Sequence, residues 1–223
     1  MLKELFPNVN MEDLWTATEE TLYMTLISVA GTLILGIILG LLLFLTDRGN
    51  LWQNRFINFV TATVVNVFRA IPFIILILLL FPFTDFLIGT IRGWKAALPA
   101  LIIGAAPFYA RLVEIGLKEV DKGVIEAAKS MGAKPHTIIF KVLLPESMPA
   151  LISGITVTAI SLIGYTAMAG IIGAGGLGGD LAYMKGFLRR DFDVVLICTI
   201  FVIAIVFVFQ LIGDLLSKAV DKR

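Results

Sequence analysis

Gly173-Ala174-Gly175-Gly176-Leu177-Gly178 has the GxGxxG spacing that, between a strand and a helix, brings backbone N–H groups against a pyrophosphate. Here the glycines follow a long apolar run instead of a strand, so they predict a compact turn or hinge at a membrane surface. No GxxxxGK[ST], HExxH or GxSxG occurs, which removes the usual routes to ATP binding, metalloprotease and serine-hydrolase chemistry. His136 is the sole histidine and has no second histidine or cysteine nearby to complete a metal site. No metal, cofactor or catalytic group is expected. Arg69 lies inside an apolar run just before Ile71-Pro72. A cation at membrane depth must face protein or water, so Arg69 is either a brace for carbonyls freed by a kink at Pro72 or part of a polar path. Arg111 and Glu114, three apart, fit an ion pair at the interfacial end of a span.

The longest polar-rich insert runs from Lys118 to Pro149 and carries Lys118, Lys122, Lys129, Lys134 and Lys141. Lysines beside apolar spans mark the cytoplasmic side. Asp121 is placed to cap a helix in which Val124, Ile125, Ala128 and Met131 share a face. Gly132 supplies its stop, and Pro135 opens a second short helix through Thr137, Ile138 and Phe140. From these residues alone, the insert reads as an amphipathic helix lying on the membrane between two spans.

The elements that must position these groups are membrane spans. Of the 223 residues 58% are hydrophobic and 16% charged, with mean hydropathy +0.95, far from a soluble domain. Apolar runs predict five transmembrane helices at about 22–45, 56–83, 96–117, 150–172 and 194–216, in one all-α polytopic domain covering 1–223. The insert 118–149 lies between spans three and four. The acidic start (Glu4, Glu12, Asp13, Glu19, Glu20) lacks the basic region of a signal peptide, so the first span is expected to stay as an anchor. Cys198 is the lone cysteine, so no internal disulfide forms.

Gly36 and Gly40 form a small-xxx-small pair, suited to packing within the chain or to a dimer contact. Pro99 and Pro107 imply bending of the third span. In the fourth, Gly154, Thr158, Ser161, Tyr165 and Met168 recur at helical spacing, a stripe that suits either tight packing or the wall of a path. Tyr165 and Met168, near the outer end, are the better gate residues. With the insert inside, that side collects Arg48, Arg55, Arg111, the five insert lysines, Lys218, Lys222 and Arg223, against Lys3, Arg92, Lys95, Lys185, Arg189 and Arg190 outside. The bias predicts an outside N-terminus and a cytoplasmic C-terminus.

Glu126-Ala127-Ala128, then Gly132, then Leu144-Pro145 resembles the EAA loop of ABC-importer permeases, with Val142 standing where the pattern has isoleucine. Asn66 to Ile74, Gly104 to Phe108 and Gly164 to Gly178 look like the methionine-uptake permeases within that family. The resemblance implies a bacterial inner-membrane subunit without enzymatic activity, working as a homodimer with two ATP-binding cassette ATPase subunits and an extracytoplasmic binding protein. It makes the insert a cytoplasmic coupling helix seated on the ATPase, with Glu126, Ala127, Ala128, Gly132, Leu144 and Pro145 as coupling residues. Arg69, Ser161, Tyr165 and Met168 stay the candidate gate and path residues on their own chemistry, and the cargo that the resemblance implies is methionine or another small amino acid or peptide. A self-sufficient channel or secondary carrier is the contrasting reading. Nucleic-acid binding is not implied.

Overall fold

In the computed structural model, which describes residues 9–220, Asn10 opens the first helix by accepting the Glu12 backbone N–H at 3.0 Å. Helix α1 runs Met11–Thr46, about 54 Å at 1.5 Å per residue, well beyond the roughly 30 Å of hydrocarbon. The acidic segment around Glu12, Asp13, Glu19 and Glu20 is therefore the first part of the same rod that carries the apolar run. Its buried face is a ladder of small and hydroxyl side chains, including Thr18, Thr21, Thr25, Gly36 and Gly40. The three hydroxyls donate to carbonyls four residues earlier, which consumes their polarity inside the helix.

That ladder admits helix α5, Trp94–Lys118. A Cβ on Gly36 would stand 2.4 Å from the Tyr109 ring, and one on Gly40 2.5 Å from Val113. Of the two roles open to the glycine pair, the structure selects packing within the chain. In lipid no hydrophobic force draws helices together, so such close backbone approach supplies the dispersion contact that does. Helix α5 continues through Pro99 and Pro107.

The run expected as one span at 56–83 is broken. It forms α2 (Arg55–Ala70), α3 (Phe73–Leu79) and α4 (Phe81–Ile88), and α2 meets α3 at 108°. Pro72 forces Ile71 into an extended conformation and caps α3 without an N–H of its own. Pro82 sits in the first turn of α4, which ends at Gly89 with φ +79°. Asp85, expected in a loop, is helical.

The insert folds as α6 (Lys122–Ser130) and α7 (Pro135–Ile138). Helix α7 continues through a widened π-helical turn, Ile139–Leu143, into α8, Leu144–Ala169. No break separates the insert's second helix from the fourth span: Pro135–Ala174 is one helical stretch of 40 residues, kinked near its end at Gly173 (φ +101°). The widening has a local cause. Pro145 brings no N–H to the ladder, and in the turn before it Leu144 N–H reaches back five residues to the Ile139 carbonyl. Beyond Ala169 the chain passes through two further π-helical segments, Gly170–Ala174 and Leu177–Phe187, into α9, Phe192–Val220.

Among the described residues four helical stretches are long and apolar enough to cross a membrane, and there are five if the bent α2–α3 pair is counted as one span. The most apolar window of α9 is only 11% buried within the chain, which leaves this helix a broad exposed apolar face. The charges of Lys3, Glu4, Lys222 and Arg223 lie outside the described residues.

Candidate coupling site and membrane path

At one end of the bundle α6 is held as a short, well-defined surface helix. The Asp121 carboxylate accepts the Gly123 N–H at 2.6 Å. At the far end Gly132 (φ +76°) donates to Lys129 O at 2.9 Å and Ala133 to Ala128 O at 3.1 Å, the paired bonds of a Schellman stop. Ala128 points inward against Ile138, Ile139 and Leu143, and Ile125 packs beside them. Glu126 and Ala127 are exposed. Val124 and Met131 do not share the packed face expected of them. Met131 lies past the last helical turn and is 81% exposed, while Val124 sits exposed in the first turn. His136 is a surface residue, as its lack of ligand neighbours suggested. Leu144 and Pro145 open α8, with Leu144 partly packed on the same cluster and Pro145 exposed.

Beside α6 a chain of charges ties two other elements together. Glu114, 5% exposed, accepts from Arg111 at 2.6 Å and from Lys118 at 2.7 Å. Lys118 also reaches Asp47, at the end of α1, at 3.2 Å. The Arg48 backbone N–H, 2.7 Å from Asp47 Oδ1, holds that carboxyl below its ordinary range, and Lys118 adds to the effect. The expected Arg111–Glu114 pair is thus half of a four-membered network. Asp47, Arg48, Lys118, Lys122, Glu126 and Lys129 share a cavity of about 470 Å³ between α1, α5 and α6, so Glu126 lies directly beside the network.

The stripe along α8 divides by depth. Gly154 packs against Leu112 and Tyr109, and Thr158 is fully buried with its hydroxyl on Gly154 O at 2.8 Å. Ser161 is half-buried and donates to Val157 O at 3.0 Å. Tyr165 stacks on Phe73 of α3, ring centroids 4.6 Å apart and planes 8° from parallel. Met168 is exposed. Arg69 lines one cavity with Phe73, Gly104 and Tyr165, whereas Ser161 and Met168 lie outside it. The carbonyls freed at the α2–α3 break do not brace Arg69, which makes no side-chain hydrogen bond or ion pair among the described residues.

Sequence reading passed over Glu20. Its carboxylate accepts the Gly176 N–H at 2.8 Å, and Thr21 Oγ1 accepts from Leu177 at 2.9 Å. The glycine run does present one backbone N–H, that of Gly176, to an anion, but the anion belongs to its own chain. The only signal available was a carboxylate at the start of an apolar run.

A family model described as binding-protein-dependent transport system inner membrane component matches residues 32–223. The chain belongs to this family. The permease is 66% identical to the methionine import system permease protein MetP of Bacillus subtilis (strain 168) over 223 residues, all of both chains. It is 44% identical to the probable D-methionine transport system permease protein MetI of Vibrio cholerae, over 96% of this chain and 95% of that one. Among solved structures, a chain of the MetNI methionine ABC transporter in inward-facing conformations superposes with a TM-score of 0.93 at 40% identity. That match covers 95% of the permease and 98% of the solved chain.

Proposed function

We propose that this permease is the membrane subunit of an ATP-driven methionine importer, acting as a homodimer with a path between the two copies. Two ATPase subunits seat on the α6 helices, and an extracytoplasmic binding protein delivers the cargo at the opposite end. The N-terminus lies outside and the C-terminus in the cytoplasm. The observation that carries this reading is α6 itself. It is capped at both ends, packed through Ala128, and leaves Glu126 and Ala127 exposed at the point where the helical stretch Pro135–Ala174 begins. A push on α6 is passed by Gly132 and the short link to Pro135 into a rod that crosses the membrane, so the permease needs no chemistry of its own. Helix α2 supports the path between copies: Asn66 and Arg69 are exposed, three residues apart, on the first half of the bent α2–α3 pair, a surface lipid does not tolerate. Methionine as the cargo rests on the full-length likeness to MetP.

The test is reconstitution with the cognate ATPase and binding protein in proteoliposomes. Uptake of labelled methionine that needs ATP and both partners is expected, with other amino acids and small peptides competing poorly. Stronger competition by another amino acid would reassign the cargo, and transport without the ATPase would overturn the reading altogether.

A further inference from the structure

We propose that Arg69, together with the stacked rings of Phe73 and Tyr165, forms a transient site for the carboxylate and apolar side chain of a zwitterionic amino acid on its way through the membrane. This rests on the importer reading above and names where in the path the cargo is held.

Arg69 stands fourteen residues past Arg55 on α2, about 21 Å along the helix axis, inside the bent α2–α3 stretch that is apolar and long enough to enter the roughly 30 Å of hydrocarbon. Its guanidinium has five donors, and none is used by a side chain or carbonyl among the described residues. An unpaired guanidinium at that depth is costly and marks a path for ions or polar solutes. Its planar fork matches a carboxylate in two-point fashion. The cavity it lines, with Phe73, Gly104 and Tyr165, holds about 130 Å³, roughly four times a water's share of liquid volume. That is room for a carboxylate and the base of a side chain, with the remainder lying in the open path. Part of the lining is the Phe73–Tyr165 stack, whose edges suit a polarisable thioether. A Cβ on Gly104 would approach Leu76 at 3.1 Å and Phe73 at 3.3 Å, so glycine here lets α3 lie close and keeps Phe73 on the wall of the cavity that Arg69 also lines. The break at Pro72 places both halves: it ends α2 just after Arg69 and starts α3 at Phe73.

The full-length permease in lipid nanodiscs, wild type and Arg69→Lys and Arg69→Gln, is assayed for binding of labelled methionine by equilibrium dialysis. Methioninol, which keeps the amine and thioether but lacks the carboxylate, is the competitor. Wild type should prefer methionine by about ten- to a hundredfold, the loss expected when a charged hydrogen-bond partner is removed. Arg69→Gln should bind both ligands weakly and alike, and Arg69→Lys should keep part of the preference. No saturable binding by wild type, equal binding of the two ligands, or an unchanged preference in Arg69→Gln each overturns the site. Uptake by the complete wild-type complex is measured in parallel. ATP-driven methionine uptake with an unchanged preference in Arg69→Gln removes only this site, whereas absence of methionine uptake removes the importer reading beneath it.

Discussion

Across 156 residues of sequence, the Glu20 carboxylate accepts the backbone N–H of Gly176 at 2.8 Å. Gly175 and Gly176 present that donor by adopting φ +86° and +79° with near-extended ψ, a region essentially reserved for glycine. The loop therefore fastens the end of the α8 rod to α1. Replacing Gly176 with alanine forces a side chain into this conformation and sets its Cβ 2.8 Å from Thr21 Oγ1. A loss of about 1–3 kcal/mol is expected, read as a lower unfolding midpoint in detergent. Gly164→Ala is the control: this glycine is helical with open space around it, and its effect should stay within about 0.5 kcal/mol.

Gly36 and Gly40 face α5 of the same chain. Gly36→Ala should destabilise by about 1–3 kcal/mol through overpacking against Tyr109 while leaving the proportion of dimer seen by size-exclusion with light scattering unchanged. A shift toward monomer at unaltered midpoint would place the pair at an interface between copies instead.

Asp47 gives a pH signature. Its carboxyl is held low in the folded chain by the Arg48 N–H, with help from Lys118. A depressed carboxylate stabilises the fold above its unfolded value, about 3.9, and loses that contribution as pH falls through the folded value. The difference in unfolding midpoint between wild type and Asp47→Asn should thus be present at pH 6 and close in the acid range below about 4. A constant gap down to pH 3 would contradict it.

Glu114 is the buried member of the same network, and its partners Arg111 and Lys118 are exposed enough to turn to water. Glu114→Ala is therefore expected to cost about 1–3 kcal/mol, the range for lost charged hydrogen bonds, short of the larger penalty of a stranded buried charge. Thermal unfolding of the purified variant checks this.

On the proposed reading, Glu126→Ala leaves stability within about 0.5 kcal/mol because the side chain is exposed. Gly132→Ala costs about 1–2 kcal/mol for a left-handed residue. Both variants should remain in the membrane and permit ATP hydrolysis by the partner, with methionine uptake reduced several-fold relative to hydrolysis. Normal coupling in the two would remove α6 from the transmission path.

Apolar runs, the lysine-rich insert, the Asp121 and Gly132 caps and the EAA spacing were legible along the chain, because hydropathy and backbone punctuation act over a few neighbouring residues. The α2–α3 turn was legible only as a kink: Pro72 announces a disruption, but the 108° angle depends on what α3 packs against. Likewise Pro145 announces a local irregularity in the helix, while its absorption into a continuous rod depends on the widened turn that compensates for the missing N–H. The sequence by itself determined an all-helical membrane protein with a capped surface helix and no nucleotide chemistry. Tertiary structure alone decided that Gly36 meets Tyr109, that Glu20 occupies the glycine loop, and that Arg69 and Tyr165 share one cavity. These pairings join residues tens to more than a hundred positions apart, and no local propensity encodes which helix faces will meet.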